Sequence, residues 1–162
     1  RDFCLSRGLG DVYKRQEEAV GRINGRFGRL GAPVVHYQHR SVPKDVLRRY
    51  YRLADIMLVT PFKDGMNLVA KEYVASHGDG SGALVLSEFA GAAAELTHAN
   101  LCNPFDIESI KRALLSAIKG LDESPDTMRE RMAAMNSQVR EHDIALWSRS
   151  FLGALDSQEE QA

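Results

Sequence analysis

A run of polar residues that could bind a ligand follows the clearest apolar segment of the chain. It reads Asp64-Gly65-Met66-Asn67-Leu68-Val69, and Glu72 lies four residues after Leu68, one turn along the same face of a predicted helix. Gly65 has no Cβ and would let a ligand approach the backbone. The amides of Met66, Asn67 and Leu68 would be the unpaired donors of a helix N-terminus, which suit phosphate or sugar oxygens. The Asp64 carboxylate could accept hydrogens from a polyol, and the Glu72 carboxylate could bind two vicinal hydroxyls of a ribose.

The same residues also have a purely structural interpretation. Asp64 or Asn67 could simply cap the helix, because short polar side chains are favoured at that position. Glu72 could be a solvated surface group, since glutamates are mostly exposed. Residue type and spacing therefore leave both interpretations open, and they indicate an α/β domain that could bind a nucleotide.

Two apolar runs predict the strands that would position this segment. Asp55–Pro61 and Ala83–Ser87 are short and continuously apolar, which is typical of parallel strands buried on both faces. The intervening stretch Asn67–Ser76 is predicted as a helix. The small residues Ala90–Ala94 predict a short helix, and Ser87–Gly91 would either pack tightly against it or lie near a ligand.

The rest of the pattern alternates in the same way. We predict strands at Pro33–Tyr37 and Leu101–Pro104, and helices at Glu17–Phe27, Lys44–Leu53, Asp106–Lys119 and, with interruptions, Met128–Leu155. Alternating strands and helices predict a doubly wound parallel α/β sheet, in which ligands bind at the carboxyl ends of the strands. If Pro33–Tyr37 is the third strand in the order 3-2-1-4-5-6, the chain lacks the first strand, which is central, and the second. We therefore expect a gap between the third and fourth strands, and marginal stability or a rearranged sheet.

Composition excludes several classes of protein. The 162 residues carry 21 basic and 22 acidic side chains, a formal charge of −1, which argues against a nucleic-acid-binding function. No apolar run approaches the roughly 18 residues that span a bilayer, so no membrane partner is expected. Cys4 and Cys102 make neither a disulfide framework nor a zinc cluster, and the histidines lack metal-ligand spacing, so we expect no metal. A soluble domain of a reducing, cytoplasmic compartment is the expectation, and assembly as a homo-oligomer stays open.

Five segments together resemble the trehalose-6-phosphate synthases, retaining glucosyltransferases with two Rossmann-like domains (the GT-B type). The segments are Gly21–Gly25, His39–Pro43, Tyr51–Pro61, Asp64–Tyr73 and Leu84–Ala92. The resemblance runs from about Glu17 to about Leu155, and the run from Asp64 to Val69 is highly specific to the family. It implies that the chain is part of the C-terminal, donor-binding domain, which takes glucose from UDP-glucose and passes it to glucose 6-phosphate.

The resemblance also implies roles for individual residues. Asp64 would bind glucose hydroxyls, the backbone of Gly65, Met66, Asn67, Leu68 and Val69 would hold the sugar and diphosphate, and Glu72 would hold the ribose. Val42 and Leu47 match positions that line the uracil pocket. The family needs no cofactor besides its substrate UDP-glucose and uses no protein nucleophile. Apart from Asp64 at the donor site, no catalytic residue is therefore expected in this chain.

Some features of the family are not found in this sequence. No stretch matches the family's diphosphate-binding Arg and Lys, and the N-terminal domain that carries the glucose 6-phosphate site is not represented. We therefore expect residues 17–155 to form a partial nucleotide-sugar-binding domain without activity of its own. Residues 1–16 do not match the family and are interpreted as a non-native tail, and residues 156–162 as a flexible tail. A synthase with another phosphorylated acceptor, or a non-catalytic nucleotide-sugar-binding or regulatory subunit, stays open as an alternative.

Overall fold

The computed structural model describes residues 2–38 and 40–159, which form two compact units. The first unit ends at Val42 and the second begins at Pro43. Helix α1, Asp2–Phe27, makes up most of the first unit and includes the helix predicted at Glu17–Phe27. It also extends through residues 2–16, the segment interpreted from the sequence as a non-native tail.

The strand predicted at Pro33–Tyr37 does not form, and this prediction is wrong. The amides of Val34 and Val35 donate to Oδ1 of Asn24 at 3.0 and 2.8 Å, and Nδ2 of Asn24 donates to the Val35 carbonyl oxygen at 2.9 Å. One side chain thus binds backbone groups that a strand would share with a neighbouring strand. Because of these bonds, a β-branched run that reads as a strand is held as irregular structure.

The second unit contains the remaining elements. They are α2 (Lys44–Leu53), β1 (Ile56–Val59), α3 (Leu68–Ser76), β2 (Ala83–Ser87), a short 3₁₀ helix (Gly91–Ala94), β3 (Asn100–Cys102), α4 (Ile107–Glu123), α5 (Pro125–Glu141) and α6 (Ile144–Glu159). Each strand and helix predicted from residue 44 onward is confirmed, with the last helix divided between α5 and α6. Helix α6 continues into the segment predicted as a tail, of which residues 160–162 lie outside the described residues.

The three described strands form one parallel sheet in the order β1-β2-β3. The register pairs Met57 with Leu84 and Leu86 with Leu101. The strands are adjacent, so the expected gap in the sheet is absent from this part of the chain. The gap was expected because Pro33–Tyr37 was counted as a strand, and that segment does not join the sheet.

Strand β2 lies at the centre and is buried on both faces, as predicted. Leu84 and Leu86 belong to a core that includes residues of α2, α3 and α5. Ala83 and Val85 belong to a second core with residues of α4. Successive residues of β2 thus belong alternately to the two cores, because successive side chains of a strand point to opposite faces. The sheet is thus covered by helices on both faces, and the loops after its strands remain accessible.

Helix α6 carries exposed apolar residues. Trp147 and Phe151 stack with their ring centroids 5.2 Å apart, and both side chains are more than half exposed. Among the described residues, no helix combines the length and the apolar character needed to cross a membrane.

Candidate functional site

Asp64 shapes the loop that follows β1, residues 64–67. Its Oδ1 accepts a hydrogen bond from the Met66 amide at 3.0 Å, and its Oδ2 accepts one from Nδ2 of Asn67 at 2.9 Å. These bonds to the charged form lower the pKa of Asp64, with the Met66 amide the larger cause. The carboxylate is therefore ionised and holds the 64–67 loop in a tight turn.

Asn67 connects this loop to α3. Its Oδ1 accepts a hydrogen bond from the Ala70 amide at 2.9 Å, so Asn67 rather than Asp64 is the N-cap of the helix. Its backbone adopts φ 76° and ψ 86°, and it is the one residue other than glycine with a positive φ in the described ranges. Residues held in such sparsely populated conformations cluster at functional sites, where the surrounding bonds maintain them. Here the bonds to Asp64 and Ala70 do so.

The first turn of α3 presents donors to the surroundings. The backbone amides of Leu68 and Val69 have no acceptor among the described residues, as expected for the first positions of a helix. Both side chains are exposed, Leu68 by 62% and Val69 by 40%. The positive end of the helix dipole is thus accessible at this point, which favours an anionic ligand.

The 3₁₀ helix after β2 packs against the 64–67 loop and binds its backbone. The Gly91 amide donates to the Asp64 carbonyl oxygen at 2.9 Å, and the Ala92 amide donates to the Met66 carbonyl oxygen at 2.6 Å. A Cβ on Gly91 would overlap the Gly65 carbonyl oxygen. A Cβ on Gly65 itself would meet no atom within 4 Å. Tight packing therefore requires glycine at position 91, and the open side of Gly65 is free to face a ligand.

Glu72 lies on the wall of a cleft of about 500 Å³ that α2 and α3 form. Tyr51 of α2 donates its hydroxyl hydrogen to Oε2 of Glu72 at 3.1 Å. Burial, followed by the effect of Glu72, raises the pKa of Tyr51 to about 12, so its hydroxyl keeps the proton. Leu47 lines the same cleft, as do Lys44, Arg48 and Arg52. The cleft therefore combines a fixed carboxylate with an apolar floor and a basic edge.

A second cavity of about 620 Å³ opens at the carboxyl edge of the sheet. Asp64, Gly65 and Gly91 line it together with Phe89 and Leu101. The segment from Asp64 to Glu72 thus borders a cavity at each end, one beside the loop and one beside α2. No group of three or more His, Cys, Asp or Glu arranged to hold a metal occurs in residues 2–38 and 40–159.

Most of the predicted site residues share one segment, and one does not. The segment from the start of the 64–67 loop to the second turn of α3 contains seven of them: Asp64, Gly65, Met66, Asn67, Leu68, Val69 and Glu72. Leu47 lines the same cleft as Glu72. Val42 is half-buried and ends the first unit, so its pairing with Leu47 stays a prediction.

Four residues that support the site were not predicted from the sequence. Tyr51 orients Glu72, and Lys71 binds Glu95 next to the 3₁₀ helix. Gly91 was noted only as part of a small-residue run. Because each of these contacts joins segments at least 21 residues apart, helix periodicity gives no signal for them.

The fold and the site define a doubly wound α/β domain with polar loops at the carboxyl ends of parallel strands, an arrangement typical of ligand binding. The sequence matches the profile of glycosyltransferase family 20 over residues 7–157. The chain belongs to this family.

Trehalose-6-phosphate synthases of mycobacteria resemble the chain closely over most of its length. It is 54% identical over 143 residues to trehalose-6-phosphate synthase of Mycolicibacterium gilvum, covering 88% of this chain and 28% of that protein. It is 55% identical over 139 residues to the Mycobacterium leprae enzyme of the same name, covering 86% and 27%. The chain therefore spans little more than a quarter of the length of these relatives.

Solved structures share the same fold. The Escherichia coli protein bound with UDP-2-fluoro glucose is 40% identical, with a TM-score of 0.83 over 91% of this chain and 32% of that one. A UDP-forming α,α-trehalose-phosphate synthase from Burkholderia xenovorans in complex with glucose 6-phosphate is also 40% identical, with a TM-score of 0.81 over 91% and 32%. The predicted fold class, part of a GT-B glycosyltransferase with a Rossmann-like parallel sheet, is confirmed.

Proposed function

We propose that this chain forms part of the donor site of a UDP-forming trehalose-6-phosphate synthase. The whole enzyme would transfer glucose from UDP-glucose to glucose 6-phosphate, giving trehalose 6-phosphate and UDP. The names of the relatives support this activity, and two related structures hold a UDP-glucose analogue and glucose 6-phosphate respectively. Since the chain spans 28% of the first of these relatives, the residues that bind the acceptor are assigned to the remainder.

The observation that carries the proposal is the geometry of the segment from Asp64 to Glu72. The 64–67 loop, turned by Asp64, leads to the unpaired amides of Leu68 and Val69, and Glu72 follows one turn later. An extended ligand with a sugar, a diphosphate and a ribose matches this order of carboxylate, amides and carboxylate. Amide donors at a helix N-terminus suit the diphosphate, and a carboxylate suits vicinal hydroxyls.

Each part of UDP-glucose then has a proposed partner. Asp64 accepts hydrogens from glucose hydroxyls, and the backbone from Gly65 to Val69 binds the sugar and the diphosphate. Glu72, held by the Tyr51 hydroxyl, binds the ribose. Leu47 in the same cleft contacts the uracil. The basic edge of this cleft provides a positive potential that favours a nucleotide over a neutral sugar.

Replacing Glu72 by alanine is expected to weaken UDP binding by at least about tenfold, because the ribose loses its hydrogen bonds to a charged group. The measurement is an NMR titration of UDP into the 162-residue chain, followed at the amides of residues 64–72. Glu130→Ala on α5 removes an exposed glutamate and is the matched control. Equal UDP affinity in the Glu72 variant and the wild-type chain would contradict the proposed ribose contact.

The chain alone is expected to release no UDP from UDP-glucose when glucose 6-phosphate is added. The acceptor site and the diphosphate-binding Arg and Lys of the family have no counterpart in this sequence. A coupled assay of UDP release measures this, with a full-length trehalose-6-phosphate synthase as the positive control. UDP release that depends on glucose 6-phosphate would show that the chain carries an acceptor site of its own.

A further inference from the structure

An ion pair joins α3 to the 3₁₀ helix beside the 64–67 loop. The Lys71 ammonium contacts both carboxylate oxygens of Glu95, at 2.9 and 2.8 Å. The two side chains are 16% and 35% exposed. In every other ion pair between described residues, both side chains are more than half exposed. This pair is therefore the least exposed of the ion pairs between described residues, and screening by water weakens it least.

The two residues lie on the two elements that contact the 64–67 loop, Lys71 on α3 and Glu95 at the end of the 3₁₀ helix. Lys71 directly follows Ala70, whose amide Asn67 caps, so it is fixed to the end of the 64–67 loop. Glu95 is the C-cap of the 3₁₀ helix, and its amide donates to the Ala92 carbonyl oxygen at 3.2 Å. Ala92 in turn donates to the Met66 carbonyl oxygen. The ion pair thus closes a ring of contacts that runs from the loop through α3 to the 3₁₀ helix and back.

We propose that Lys71 and Glu95 are positioning residues that hold the 64–67 loop and the first amides of α3 in the geometry that binds the nucleotide sugar. Neither side chain contacts the ligand in this proposal. The pair acts by keeping the 3₁₀ helix against the loop, where Gly91 and Ala92 bind the carbonyl oxygens of Asp64 and Met66. The role in ligand binding rests on the proposed function, whereas the effect on the loop does not.

Removing one partner has a larger effect than its hydrogen bonds alone. Lys71→Met leaves the Glu95 carboxylate partly buried without its cation, and Glu95→Gln leaves the Lys71 ammonium in the same state. An uncompensated charge draws water or rearranges its surroundings. The 3₁₀ helix is joined to the loop by backbone hydrogen bonds from Gly91 and Ala92. We expect the rearrangement to break these bonds first and to leave the strands of the sheet in place.

Amide hydrogen exchange of the 162-residue chain without ligand is the first test. In Lys71→Met and Glu95→Gln we expect exchange at the Gly91 and Ala92 amides to rise about tenfold. Exchange at Val85, in the central strand, reports global unfolding. Swapping the two residues (Lys71→Glu with Glu95→Lys) is expected to restore protection at the Gly91 and Ala92 amides. Glu108→Gln is the control, because it breaks the exposed pair with Lys111 on α4.

Two results would overturn the proposal. One is unchanged exchange at Gly91 and Ala92 in both single variants. The other is a double variant with the two residues swapped that does not restore protection at these amides, whether or not that variant folds. If a single variant unfolds as a whole, hydrogen exchange at Val85 rises as much as at Gly91 and Ala92. The double variant with the two residues swapped then decides whether the ion pair holds the loop.

The second test is UDP affinity, measured by titration with the same variants. We expect UDP binding to weaken about tenfold in the single variants and to return in the double variant with the two residues swapped. Weakened exchange protection with unchanged UDP affinity would overturn the role in ligand binding. A folded wild-type chain that binds no UDP would contradict the proposed function instead, and the exchange experiment would still decide whether the ion pair holds the loop.

Discussion

Gly91→Ala is expected to displace the 64–67 loop and to destabilise the chain by about 1–3 kcal/mol, the usual cost of forcing an atom into a packed site. The added Cβ would overlap the Gly65 carbonyl oxygen and lie 2.7 Å from its carbonyl carbon and 3.2 Å from the Met66 nitrogen. These are backbone atoms, so no side-chain rotation can relieve the overlap. Relief requires moving the loop away from the 3₁₀ helix, which breaks the hydrogen bonds from Gly91 and Ala92.

Urea unfolding measures the loss of stability, and titration with UDP-glucose measures the loss of affinity, which we expect to exceed about tenfold. Gly65→Ala is the matched control, because a Cβ there meets no protein atom within 4 Å. Its free energy of unfolding is expected to stay within about 0.5 kcal/mol of the wild-type value. If Gly65 faces the ligand as proposed, this control loses affinity without losing stability. Wild-type stability and affinity in Gly91→Ala would contradict the inferred overlap.

Asp64→Ala is expected to weaken UDP-glucose binding on the order of 100-fold, because two effects combine. The substitution removes the carboxylate proposed to bind glucose hydroxyls. It also removes the acceptors of the Met66 amide and of Nδ2 of Asn67, so the loop loses its turn and Asn67 loses a bond that holds its positive φ. The control is Asp106→Ala, which removes a carboxylate that accepts the Glu108 amide at the start of α4.

UDP alone separates the two effects of Asp64. If the carboxylate binds only glucose, UDP affinity in Asp64→Ala stays at the wild-type value, and if it also orders the loop, UDP affinity falls as well. We expect a fall of about tenfold for UDP and the larger loss for UDP-glucose. Equal losses for the two ligands would contradict a contact between Asp64 and glucose.

The order of the loop should depend on pH in a defined direction. Folding lowers the pKa of Asp64, so the ionised carboxylate is favoured by the folded chain. Its contribution is complete above the usual carboxyl pKa of about 4 and is lost as the pH falls through the lowered value. The chemical shift of the Met66 amide, followed from pH 6 downward, is expected to change with a midpoint below about 4. This pH-dependent change should be absent in Asp64→Ala.

Local sequence signals predicted the elements of the second unit well. Both apolar runs became strands, Asp55–Pro61 as β1 and Ala83–Ser87 as β2. Burial on both faces is confirmed for the central strand β2. It is wrong for β1, which lies at the edge of the described sheet and leaves Leu58 44% exposed. The helix at Lys44–Leu53 was correct to the residue, with Pro43 directly before it. Pro33–Tyr37 failed, since a strand needs a neighbour and the Asn24 side chain occupies its backbone groups instead.

The candidate site divides in the same way. Asp64, Asn67 and Glu72 could be placed together from spacing, since a strand end, a cap and the next helical turn are local features. Spacing could not decide which residue caps α3, and the structure assigns the cap to Asn67 and the turn to Asp64. It also gave no sign that Tyr51 fixes Glu72. That contact joins two helices, and its formation depends on how they pack.

The sequence by itself determined which segments are strands and helices in the second unit, which family the chain resembles, and which segment carries the polar groups. These depend on residue type and on periods of two or 3.6, which any short window contains. Only the tertiary structure decided that Gly91 must lack a Cβ, that Lys71 binds Glu95 and that Asn24 replaces a strand partner. Those contacts join residues 10 to 26 positions apart in the chain, and their formation depends on three-dimensional packing, for which a one-dimensional pattern holds no information.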